Sequence, residues 1–68
     1  MTITVKQFID NPPESWGGTV VINTFAGPEE VGYVRWPEDN PHVVCPKANA
    51  GFGLSFMVSH NSELEVLE

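Results

Sequence analysis

The chain has 68 residues, with nine Asp and Glu against three Lys and Arg and a formal net charge of −6. That length excludes a two-domain enzyme and a solenoid of stacked repeats, and so short a chain buries only roughly 60% of the surface its unfolded form exposes. The charge excludes a basic nucleic-acid binder, and 41% hydrophobic residues are too many for a disordered acidic tail.

The chain reads as one α+β domain spanning residues 1–68, a short N-terminal helix packed on an antiparallel sheet of four to five short strands. Thr4 and Gln7 have capping-box spacing, and Val5, Phe8 and Ile9 then share one helical face. Pro12 disfavours helical geometry at Asn11 and ends the helix. Residues 13–18 read as a single helical turn or tight loop, with Pro at its entry and Gly at its exit. Residues 19–25, rich in β-branched side chains, predict a first strand. Residues 26–30 read as a turn, 31–36 as a second strand and 37–41 as a polar loop. A short third strand over 42–45 is closed by Pro46, which has no N–H for a ladder. Residues 47–51 form another loop. Over residues 52–59 the pattern alternates: Phe52, Leu54, Phe56 and Val58 point one way, Gly53, Ser55, Met57 and Ser59 the other.

The last segment reads in two ways. Ser62 and Glu65 have capping-box spacing, whereas residues 63–66 alternate like a strand. A short hairpin loop over 60–62 accounts for the alternation on both sides and favours the strand. The expected core is Phe8, Ile9, Trp16, Ile22, Val34, Phe52, Leu54, Phe56, Val58, Leu64 and Val66.

Cys45 is the single cysteine, so no intramolecular disulfide forms, and a reducing cytoplasmic setting is expected. The N-terminus lacks the apolar core of a signal peptide, and no apolar run reaches the ~20 residues a spanning helix needs.

The candidate metal ligands are His42, Cys45 and His60. On a strand, His42 and Cys45 are three apart and face opposite sides, so neither a metal site nor a Cys–His nucleophile is expected, and no cofactor is implied. The plainer reading is two surface histidines and an inert core cysteine. Gly51-Phe52-Gly53 precedes a strand rather than a helix, which makes it a glycine-flanked turn and not a phosphate cradle. The carboxylate pairs Glu29-Glu30 and Glu38-Asp39 fall in Pro-bounded, solvated loops where nothing tunes them for acid–base work. The expectation is a non-enzyme. Trp16, Phe25, Tyr33 and Trp36 would need a positive groove around them to stack nucleic-acid bases, and three cations do not supply one. Their plainer role is core volume. Trp36, between Arg35 and Pro37, suits an anchor for a protein partner.

What remains is the acidic set. Solubility alone is the plain reading of an acidic surface. The functional reading makes Glu29, Glu30, Glu38, Asp39, Glu63, Glu65 and Glu68 the partner-binding residues. Glu63 and Glu65 would share a face of the terminal strand, roughly 6.7 Å apart, of the order of neighbouring backbone phosphates. A partner with a Lys/Arg-lined channel would be steered to such a surface and hydrogen-bonded by it. In its size, acidic balance, compact α+β pattern and lack of an enzymatic motif, the whole chain resembles the small anti-CRISPR proteins of phages and mobile elements. The likeness is to those acting on type I surveillance complexes, type I-C among them. These proteins share no motif, so the resemblance assigns no residue a role. It implies a stoichiometric inhibitor that binds a basic nucleic-acid-binding subunit of a CRISPR effector complex and blocks DNA capture or nuclease recruitment by mimicry. Such an inhibitor contacts neither nucleic acid nor membrane directly. The alternative is a structural or adaptor module, such as a phage assembly protein or a homo-oligomeric subunit that pairs through an exposed strand edge.

Overall fold

The computed structural model describes all residues, 1–68. Its order is β1 (Thr2–Thr4), α1 (Val5–Asp10), a 3₁₀ turn (Pro13–Trp16), β2 (Thr19–Thr24), β3 (Gly27–Glu30), β4 (Tyr33–Arg35), β5 (His42–Cys45), a second short 3₁₀ turn (Asn49–Gly51), β6 (Leu54–Met57) and β7 (Glu63–Leu67). The strands form two antiparallel sheets, one ordered β1-β7-β2-β3 and the other β4-β5-β6. The class is α+β, with seven strands in two sheets where four or five in one were expected.

The helix forms for the local reason its sequence carries. The Thr4 hydroxyl accepts from the Gln7 amide at 3.1 Å, and the Gln7 side chain accepts from the Thr4 amide at 2.8 Å. Two further first-turn donors are satisfied from afar. The Val5 amide donates to the Ser62 carbonyl at 2.9 Å and the Lys6 amide to the His60 carbonyl at 3.0 Å. These bonds fasten α1 to the β6–β7 connection. Val5 and Phe8 are buried, and Ile9 is half-buried.

Cross-strand register assigns the faces of the four-stranded sheet. Ile3 lies opposite Leu64, and Val66 opposite Val20, all buried and all on the inner face. Thr2, Glu65, Val21 and Glu30 form one row across the outer face. In the smaller sheet Val34, Val43 and Phe56 share the inner face, as do Cys45 and Leu54, whereas Tyr33, Val44 and Ser55 form one outer row and Arg35, His42 and Met57 the next. One core joins the two inner faces, with Leu64, Val5, Val43 and Cys45 as its fully buried side chains.

Several expectations are corrected. β1 lies where no strand was expected, and β7 has it as an edge partner 63 residues away in sequence, through Thr2 and Glu65. Residues 26–30 are not a turn: Gly27–Glu30 is β3, joined to β2 by Phe25 and Ala26, with the Thr24 hydroxyl donating to the Gly27 carbonyl at 2.7 Å. The second strand is only Tyr33–Arg35, and the alternating strand is only Leu54–Met57. Gly51 and Gly53 take left-handed geometry, φ 92° and 83°, which breaks the strand at its start. Phe52 therefore falls outside the ladder and is 88% exposed. Leu54 keeps its expected face but is also exposed, because its sheet ends at β6. Of the expected core, Phe8, Leu64 and Val66 are buried; Ile9, Trp16, Ile22, Val34, Phe56 and Val58 pack half-buried around them. The C-terminal segment is the expected strand rather than a helix.

Gly18 marks the closest approach in the chain, since a Cβ there would overlap the Leu67 carbonyl oxygen. Gly18→Ala is expected to pry β2 from the end of β7 and lower the urea midpoint, and Leu64→Ala to cost about 2–5 kcal/mol. Thr4→Ala, which removes half the capping box, should cost about 1 kcal/mol in the same titration.

Candidate functional site

The loop at residues 36–41 joins β4 to β5, and its first residue takes a backbone conformation that large side chains rarely adopt. Trp36 has φ 48°, a left-handed conformation that costs a side chain of this size roughly 1–2 kcal/mol. The turn folds the indole back over its own sheet. The Arg35 guanidinium carbon sits 4.3 Å from the Trp36 ring centroid, and the His42 ring meets the indole edge-on at 5.0 Å and 77°. Each contact stabilises by about 0.5–1.5 kcal/mol, enough to offset the backbone cost. The indole nevertheless remains 52% exposed.

Both histidines hold this loop. His42 Nδ1 lies 2.7 Å from the Asn40 carbonyl oxygen, and His60 Nε2 lies 2.6 Å from that of Pro37. A carbonyl only accepts, so each of these ring nitrogens carries a proton and donates. The loop is thus clamped at one end by its own following strand and at the other by the β6–β7 connection, which also caps α1. Within the loop the Asn40 amide donates to the Asp39 carboxylate at 2.8 Å. Glu38 and Asp39 are exposed and form no ion pair.

The seven acidic residues expected to bind a partner do not form one surface. Glu30, Glu63 and Glu65 are on the outer face of the four-stranded sheet, where Glu65 faces Val21 in one ladder and Val21 faces Glu30 in the next. Lys47 pairs with Glu30 at 3.1 Å, and the N-terminal ammonium with Glu65 at 3.6 Å. These exposed pairs add at most about 1 kcal/mol each, but they take charge from that face. Glu29 lies opposite Ile22, on the inner side of edge strand β3. Glu38 and Asp39 belong to the Trp36 loop of the other sheet, and Glu68 follows β7. Lys6 pairs with Asp10 at 2.9 Å, which leaves Arg35 as the one Lys or Arg without a carboxylate partner.

The aromatic set also divides. Trp16 packs against the core, Phe25 projects from the β2–β3 turn, and Tyr33 and Trp36 mark the outer side of the smaller sheet. The sequence pointed to Trp36 through its Arg and Pro neighbours. It did not show that His42 and His60 support the loop, because each bond depends on tertiary placement.

His42 and Cys45 point to opposite faces of β5, and no three His, Cys, Asp or Glu side chains gather closely enough to share a metal ion. Burial, and secondly the Glu29 carboxylate, push the Cys45 thiol above its ordinary value of 9.0. A neutral thiol facing the core is a poor nucleophile. Comparison with protein-family models, with curated proteins and with solved structures finds no match.

Because the folded thiol binds its proton more tightly than the unfolded one, its contribution to stability is complete below pH 9.0 and is lost as pH rises toward the raised folded value. Denaturant titrations from pH 8 to 10.5 should show a steeper loss for the native chain than for Cys45→Val. A separate variant, His60→Ala, should cost about 1 kcal/mol and alter the Trp emission as the loop loses its clamp.

Proposed function

We propose that the chain is a non-enzymatic inhibitor that binds a basic, nucleic-acid-binding subunit of a type I CRISPR effector complex in the bacterial cytoplasm. The observation that carries this reading is the loop at residues 36–41. It presents a half-exposed Trp, held in a strained backbone by two histidine clamps, two residues ahead of an unpaired Glu38-Asp39 pair. Buried Trp and Arg residues dominate binding energy at protein interfaces. Carboxylates beside such an anchor guide it to a cationic groove and hydrogen-bond the Arg side chains that would otherwise hold phosphates.

In this reading the mimicry of nucleic acid is local. Glu38 and Asp39 stand in for phosphates next to a hydrophobic anchor. Glu63 and Glu65, roughly 6.7 Å apart along β7, contribute the longer-range negative field. The net charge of −6 accelerates encounter with a basic partner and makes it salt-dependent. Rigid support matters too, since a clamped loop loses little freedom on binding.

A second reading, a self-associating structural module, is favoured by the apolar side chains left exposed around β6, Phe52, Leu54 and Met57.

Binding to a purified type I effector complex, measured by calorimetry, separates the parts. Trp36→Asn keeps the left-handed backbone accessible and should leave the fold intact while weakening binding at least about 30-fold, the equivalent of about 2 kcal/mol. Glu38→Lys with Asp39→Lys should weaken binding further at low salt than at high salt. Equal affinity for native chain and both variants would remove this loop as the docking surface.

A further inference from the structure

The free edge of β6 is bordered by the largest uncharged region of a strongly acidic molecule. Residues 48–59 contain no charged side chain, and neither do residues 19–28. These two stretches flank an apolar groove of about 470 Å³ between the end of β2, with Phe25, and the β6 residues Phe56 and Met57. Phe25 is fully exposed at one end of β6, and Phe52 is 88% exposed at the other. Leu54 and Met57 are exposed between them.

The other three edges are blunted. β3 carries Pro28 and an inward-facing Glu29, which discourage strand addition. β1 is three residues long and runs directly into α1. β4 is equally short and has the Pro12-Pro13 segment beside it. β6 has none of these devices. Its backbone is also poised to pair. The Val58 amide donates to the Pro41 carbonyl of the β5 side at 3.0 Å. By the alternation of an antiparallel ladder, Phe56 and Leu54 turn their backbone groups the same way, and Ser55 and Met57 turn theirs outward.

We infer that a second copy of this chain pairs with β6, antiparallel about Ser55, to join two three-stranded sheets into one of six strands. This inference is independent of the inhibitor reading. The register bonds Ser55 to its own counterpart and Met57 to Gly53 of the second copy. It places Leu54 opposite Phe56 and brings Phe52 of each copy to the Phe25 end of the other. The arrangement is isologous and closes at two copies. Two nearly fully exposed Phe side chains, with Leu54 and Met57, give on the order of 500 Å² per copy, about the total of 1,000 Å² a specific interface needs. Electrostatics favours the same occupant. Two chains of charge −6 repel least through a strip that carries no carboxylate and shares a surface hollow with the unpaired Arg35, whereas a basic partner gains nothing from it. The pairing leaves the two Trp36 loops at opposite ends of the joined sheet. Five strand spacings separate the two β4 strands, roughly 24 Å.

Sedimentation equilibrium from micromolar to about 1 mM tests it. The native chain should rise from 7.5 kDa to twice that mass and stop there. Phe52→Lys and, separately, Phe25→Lys alter exposed side chains and should keep the native circular dichroism yet remain at the single-chain mass. Glu14→Lys, on the 3₁₀ turn, should not reduce pairing. A native mass of 7.5 kDa at every concentration overturns the inference and leaves the strip to a foreign chain. Growth beyond two copies overturns the closed pairing. A folded Phe25→Lys that still doubles in mass overturns the placement, and it decides the matter should Phe52→Lys fail to fold.

Discussion

Leu64, Val5, Val43 and Cys45 meet between two small sheets, and the space they fill admits no large ring among the fully buried side chains. Phe8 is the single aromatic residue in the buried cluster. A three-stranded and a four-stranded sheet with strands of three to six residues enclose a small core, and branched aliphatics supply most of its buried side chains. With twelve of 68 residues buried, the chain has more large apolar side chains than its interior can take. Phe25, Phe52, Tyr33 and Trp36 therefore stand outside, and the surfaces they create are where the molecule can meet others.

The same scarcity of interior explains the polar bracing. Bonds from the Val5 and Lys6 amides to the β6–β7 connection hold the helix, and His60 from that connection holds the Trp36 loop. One irregular segment, residues 58–62, thus links α1, the smaller sheet's loop and the entry to β7. The three ion pairs are exposed and contribute little stability, but they decide where net charge resides. They partly neutralise the outer face of the large sheet and leave Glu38 and Asp39 free.

Local signals were legible in the chain. The capping box, the proline that ends α1, the β5 strand closed by Pro46 and the final strand all follow from neighbours a few residues apart. Signals that depend on distant partners were not. β1 is too short to show a period, and it exists because β7 offers it a ladder. Gly27-Pro28 has turn chemistry, yet the register with β2 carries it into a strand. The alternation around Phe52 was real, but left-handed glycines on both sides took that ring out of the sheet. At the candidate site Trp36 was visible through its neighbours. The two histidine clamps, and the division of the acidic residues between sheets, required the tertiary arrangement.

The account rests on an interior filled mainly by aliphatic side chains, with Phe8 its one buried ring and Phe25 and Phe52 displaced outward. Nuclear Overhauser effects recorded on a dilute, methyl-labelled sample test this directly. Cross-peaks should tie the Val43 methyls into one network with those of Val5, Val20 and Leu64, while the Phe25 and Phe52 rings show none to that network. Strong contacts from the Phe52 ring to Val43 or Leu64 would contradict the account, for they would put a second aromatic ring into a cluster whose one buried ring is Phe8.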